Sequence, residues 1–131
     1  MATILVIEDD YHSANIAIRV LERAGHIVIH ATEGIAGLKV VTEQSVDLVL
    51  LDMGLPDLGG HTVAALIKRI PGFVPVVAVT ASTDEATKRR ALTYGCVGYL
   101  NKPIDTRTFA DQITVFFDKS KVGDGPKGAD H

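Results

Sequence analysis

The chain has 131 residues, 47% of them hydrophobic, which suits one globular domain with a single core and leaves no room for two. Its formal net charge of −3 supplies no basic field for a phosphate backbone, so direct nucleic-acid binding is not expected. One cysteine, Cys96, rules out an internal disulfide and a cysteine-rich metal site, and no apolar run approaches the ~20 residues of a membrane helix.

From the N-terminus, Met1-Ala2-Thr3 leads straight into an apolar strand, Ile4–Ile7, without the basic region and cleavage site of a signal peptide. A soluble cytoplasmic protein is the expectation. Ala17, Val20, Leu21 and Ala24 then follow helical spacing, and Gly25 is placed to end that helix. A short strand over Ile27–His30 comes next, followed by a strongly apolar one at Leu48–Leu51. Val63, Leu66, Ile67 and Ile70 give a second helical stripe, which Pro71-Gly72 stops. The fourth strand is expected at Val76–Val79. Ser82 and Glu85 form a candidate capping box for a helix near Asp84–Tyr94, whose apolar stripe is weak and whose hold on the core should be loose. The fifth strand is expected at Val97–Leu100. Asp105 is the candidate N-cap of a last helix with the stripe Phe109, Ile113 and Phe116, and Ile104 can staple onto Phe109. Beyond Phe117 the composition turns Gly-rich and charged, so the domain is expected over residues 1–118, with a flexible tail over 119–131.

Apolar runs alternating with helical segments predict an α/β domain, a (βα)5 doubly wound five-stranded parallel sheet in order 2-1-3-4-5. Runs rich in Val, Ile and Leu suit strands buried on both faces. Right-handed crossovers put every strand C-terminus on one edge, and ligands of such sheets bind there, where the strand order reverses. Strand one ends in Glu8-Asp9-Asp10, strand three in Asp52, strand four in Thr80-Ala81, and strand five runs into Asn101-Lys102-Pro103. Each signal alone is weak, because turns favour Asp. Together they are specific, since strands one and three are neighbours and Glu8, Asp9 and Asp52 must converge. Two carboxylates ~4 Å apart repel by roughly 4 kcal/mol at an effective dielectric of about 20. A divalent cation such as Mg²⁺, together with the ammonium of Lys102, removes that cost.

The segments Ile4-Leu5-Val6-Ile7-Glu8-Asp9-Asp10, Leu50-Leu51-Asp52-Met53-Gly54-Leu55-Pro56, Val79-Thr80-Ala81 and Gly98-Tyr99-Leu100-Asn101-Lys102-Pro103 resemble the motif blocks of response-regulator receiver domains of two-component signalling. They stand in that family's order and spacing, from about Thr3 to Phe117. The resemblance implies a flavodoxin-like fold and a phosphoacceptor that is not a turnover enzyme. Asp52 would take a phosphoryl group from a histidine kinase or a phosphotransfer protein. Mg²⁺, or Mn²⁺, would be held by Asp9, Asp52 and the backbone carbonyl of Gly54, with Glu8 acting through a water. Lys102 would pair with Asp52 and then with a phosphoryl oxygen. Thr80 would hydrogen-bond the phosphoryl group, with the Ala81 amide beside it, and Tyr99 would move inward with Thr80 as a switch. A cis bond before Pro103, a downstream protein partner and phosphorylation-dependent pairing are also implied.

The chain has no P-loop, so the phosphoryl donor comes from elsewhere. A phosphatase with an Asp nucleophile would place a second carboxylate two residues on, whereas here the run is Asp52-Met53-Gly54. A flavin carrier needs a loop rich in amides and hydroxyls after strand one, where Glu8-Asp9-Asp10 stands instead. The five histidines lack tight ligand spacing and read as surface or packing residues, with His12 near the predicted site. Lys88-Arg89-Arg90 reads as a solvated helix face or a docking patch, Tyr94 as packing, and Cys96 as a small buried apolar residue.

Overall fold

The computed structural model describes residues 2–124, with side chains described as far as Phe117. Strands β1 (Thr3–Ile7), β2 (Ile27–Ala31), β3 (Leu48–Asp52), β4 (Val76–Thr80) and β5 (Gly98–Asn101) alternate with helices α1 (Tyr11–Arg23), α2 (Gly34–Glu43), α3 (Gly60–Arg69), α4 (Glu85–Thr93) and α5 (Phe109–Asp124). All neighbouring strands are parallel, in the order β2-β1-β3-β4-β5, as the alternation predicts.

Strand alternation sorts the core into two layers. Leu5, Ile7, Val49, Leu51, Val76 and Ala78 face Val41 of α2, Val63, Ala64 and Ile67 of α3, and Ala91 of α4. Their sequence neighbours Ile4, Val6, Leu48, Leu50, Val77 and Val79 face Ala17 and Leu21 of α1 and Phe109, Ile113 and Phe116 of α5. β3 and β4 are buried at every residue, the condition their continuous apolar runs anticipate. Gly98 lets α5 close on the sheet, since a Cβ there would overlap the Phe116 ring.

The helices differ from their sequence patterns in four places. The buried face of α3 is Gly60, Val63, Ala64 and Ile67, so Leu66 points outward at 37% exposure. Small residues let α3 approach the sheet closely, and this turns its inward face away from the larger Leu66. The N-cap of α4 is Asp84, whose carboxylate accepts from the Ala86 amide, and not Ser82. Ser82 instead accepts from the Asp84 amide through Oγ, one step upstream of the cap. Asp105 caps a turn over 106–108 rather than α5 itself: its side chain accepts from the Arg107 amide and its carbonyl from Thr108 and Phe109. Lastly, α5 extends to Asp124, six residues into the segment where composition suggested a tail; residues 125–131 of that expectation lie outside the described residues.

Only Ala91 of α4 is buried, against three buried residues in α1 and four in α3. The weak stripe read from the sequence is thus a real deficit of anchors. Gly25 ends α1 with φ 96°, a left-handed conformation that glycine adopts without a Cβ clash.

Candidate functional site

The carboxyl edge of the sheet collects the predicted residues because β1, β3, β4 and β5 are parallel and in register. Ile7 pairs with Leu51, Asp52 with Val79, and Thr80 with Asn101, so the strands run out at one level. Glu8, Asp52 and Thr80 are the buried polar side chains among the described residues, at 6%, 8% and 9% exposure. Asp9, one residue after Glu8, is exposed. One carboxylate oxygen each of Glu8, Asp9 and Asp52 lies within 4.8 Å of the others, an arrangement able to hold a metal ion.

Lys102 reaches into this cluster from the end of β5. Its Nζ lies 2.8 Å from Glu8 Oε1 and 3.3 Å from Asp52 Oδ1. Sequence reasoning paired Lys102 with Asp52; the shorter contact is to Glu8. Burial raises the Glu8 carboxyl above its ordinary range; Lys102 opposes that shift and the nearby Asp52 adds to it. For Lys102, burial acts to lower the pKa, but the hydrogen bond to Glu8 and the charge of Asp52 outweigh it, and the net shift is upward. The ammonium is therefore held protonated between two carboxylates, as a buried charge requires. The Lys102–Pro103 bond is cis.

Backbone groups fix the rest. The Gly54 amide donates to Asp52 Oδ1 at 3.2 Å, and the Asp10 amide donates to Glu8 Oε2 at 3.2 Å. Asp10 caps α1 by accepting from Ser13, at 2.8 Å from its hydroxyl, so it faces α1 while Asp9 joins the cluster. The Ser82 amide donates to Thr80 Oγ1 at 3.0 Å, which leaves the hydroxyl proton of Thr80 to donate elsewhere. Asn101 holds this segment by donating to the carbonyls of Thr80 and Ser82. Tyr99 is half-buried against the α3–α4 side of the core, and Lys88 Nζ lies 4.9 Å from its ring centroid. Lys88 is thus not simply solvated.

Three further residues escaped sequence reasoning. His30 Nε2 is 2.8 Å from the Glu8 carbonyl, and since a carbonyl only accepts, that nitrogen carries the proton. Asp57, beyond Gly54, binds two amides of α2. His61 packs edge-on against Tyr94, with ring centroids 5.2 Å apart. No local motif marks them, because each bridges elements distant in sequence. His12, with Glu8, Asp52 and Lys102, lines a cavity of about 180 Å³ between α1 and the start of α5. Burial pushes the Cys96 thiol up to about 11, which keeps it protonated and unreactive.

Comparison with known proteins agrees with this arrangement. A family model described as the response regulator receiver domain matches residues 4–114. An uncharacterized transcriptional regulatory protein, YbdJ of Bacillus subtilis, is 36% identical over 104 residues; the match covers 79% of this chain and 45% of that protein. The polar-differentiation response regulator DivK of Brucella ovis is 29% identical over 124 residues, covering 93% of this chain and 97% of DivK. The chain thus spans less than half of one relative and nearly all of the other. In fold it is similar to a response regulator receiver domain protein from Methanospirillum hungatei, with a TM-score of 0.86 at 23% identity over 95% of this chain and 99% of that one. With its motif blocks, its sheet order and its acidic edge accounted for, the chain belongs to the response regulator receiver domain family of two-component signalling.

Proposed function

We propose that Asp52 accepts a phosphoryl group from the phosphohistidine of a kinase or phosphotransfer protein, with Mg²⁺ at the Glu8–Asp9–Asp52 cluster, and that the modified domain changes its binding to a downstream protein. The observation that carries this reading is the Lys102 ammonium set between Glu8 and Asp52 at the end of the central strand. The cluster fits a hard cation, because its donors are carboxylate oxygens. Asp9 and Asp52 would hold the ion directly with the Gly54 carbonyl, and Glu8, engaged by Lys102, would reach it through a water. When bound, the metal supplies neutralisation of charge on the transferring group.

The chain's own residues divide the remaining work. Asp52 offers Oδ2 as nucleophile while Oδ1 is occupied by the Gly54 amide and Lys102. Lys102 balances the added charge, and the Thr80 hydroxyl donates to a phosphoryl oxygen. Phosphoryl transfer asks for this kind of positioning and electrostatics more than for covalent chemistry. No second acid stands at Gly54 to promote turnover, so the domain acts as a phosphoacceptor rather than a hydrolase. Such a role places it in the cytoplasm beside its kinase; among the described residues no helix is long and apolar enough to cross a membrane.

Acetyl phosphate with Mg²⁺ should add one hydroxylamine-sensitive phosphoryl group, located at Asp52 by mass spectrometry. Normal labelling of Asp52→Asn would refute the assignment.

A further inference from the structure

The N-cap residue of α2, Glu33, makes no side-chain cap bond. The first two amides of that helix are served from 23 and 22 residues away: Asp57 Oδ1 accepts from the Gly34 amide at 2.9 Å and Oδ2 accepts from the Ile35 amide at 3.0 Å. Both carboxylate oxygens are thus committed to one helix terminus, where the peptide dipoles favour an anion. The approach is close because Gly34 has no side chain; a Cβ there would lie 2.7 Å from Val63 Cγ2 and 3.4 Å from Asp57 Oδ1.

Asp57 belongs to the loop that carries Gly54. Leu55 is buried in the core and fixes where that loop passes. Met53 and Leu58 of the same loop pack partly buried on that core, and these anchors set position but leave rotation of the peptide planes beside Leu55 to its flanking residues. On one side stands Gly54, which is permissive by nature. On the other, Pro56 has a locked φ and transmits the anchorage of Asp57 back toward Leu55. Farther along, Gly60 closes the loop on Met53, with its amide 3.4 Å from the Met53 carbonyl.

We propose that Asp57 is a positioning residue: by tying the β3–α3 loop to the N-terminus of α2, it fixes the direction of the Gly54 carbonyl for the metal. The inference rests on the reading of the acidic cluster as a Mg²⁺ site. It joins that site mechanically to α2, an element without a residue in the cluster.

The test is Mg²⁺ affinity by calorimetry alongside the thermal midpoint of the metal-free chain. Asp57→Ala should lower the midpoint and weaken Mg²⁺ binding about tenfold, the lower end for loss of a supporting contact. Asp57→Asn, which keeps one oxygen acceptor, should fall between. In the Asp57→Ala background, Glu33→Ser gives α2 a local N-cap. That double variant should regain the midpoint while Mg²⁺ affinity stays weak, because the loop is still untethered. Recovery of affinity together with the midpoint would show that Asp57 only caps α2, and would overturn the proposal. So would unchanged affinity in Asp57→Ala beside a wild type that binds Mg²⁺. If the wild type itself binds no Mg²⁺, the reading of the cluster fails and this inference fails with it.

Discussion

Lys102 is the residue on which the metal-free site most depends. Its removal would leave Glu8 and Asp52 buried beside each other with no cation between them. Breaking a fully buried pair costs about 3–5 kcal/mol. The Lys102 side chain is 23% exposed and water softens the loss, so Lys102→Ala should cost on the order of 1–3 kcal/mol in urea unfolding. Added Mg²⁺ should return part of that loss, whereas in a site without metal affinity it would not. Two other acids set the response to pH. Hydrogen bonds from Ser13 hold Asp10 below its ordinary value of 3.8, and those from Gly34 and Ile35 do the same for Asp57. A carboxyl whose pKa is depressed in the folded state stabilises the fold above its unfolded pKa, and the contribution disappears as pH falls through the folded value. The thermal midpoint should therefore decline below about pH 4, and Asp10→Asn with Asp57→Asn should flatten that decline. An unchanged slope would mean that other carboxyls govern acid unfolding.

Among the elements, α4 stands apart. One buried alanine anchors it, and its other supports lie near the surface: Lys88 over Tyr99, and Tyr94 against His61. Segments with few buried apolar contacts open at low free energy. Amide exchange over residues 85–93 should accordingly be faster than in α1 or α3, and comparable protection would contradict the packing argument. A loosely held helix is also the element a small ligand can shift. With beryllofluoride and Mg²⁺, amide shifts should spread from Asp52 through Thr80 and Tyr99 to residues 84–105. Shifts confined to the carboxylate cluster would mean that Thr80 and Tyr99 do not act as a switch here.

On the scale of the whole molecule, the sheet holds three carboxylates together at a cost that a bound cation would offset. A ligand that binds only the folded state stabilises it by RT ln(1 + [L]/Kd), about 2.7 kcal/mol at a hundred times Kd. Mg²⁺ should thus raise the thermal midpoint in a saturable way, and Asp9→Ala should abolish the rise. Because Asp9 is exposed, its removal leaves the core untouched. A metal-dependent rise that survives in Asp9→Ala would place the ion elsewhere.

Much of this architecture is legible in the chain itself. Two-sided burial of β3 and β4 demands continuous apolar runs, and helical spacing at Phe109, Ile113 and Phe116 leaves one orientation for α5, so these strands and the inward face of that helix follow from local pattern. The acids after β1 and β3 and the lysine after β5 could be placed together because parallel strands end on one edge. Tertiary structure decided what the pattern does not encode. Leu66 turns outward because small residues let α3 sit close to the sheet, an outcome of packing volume rather than periodicity. Lys102 lies nearer Glu8 than Asp52 because of where β5 ends relative to β1, three positions away in the sheet with β4 and β3 between them. Asp57 capping α2 and His30 holding the Glu8 carbonyl join residues more than 20 positions apart in sequence. Such contacts depend on the mutual placement of finished elements, and that placement is set by the packed core rather than by any short stretch of chain.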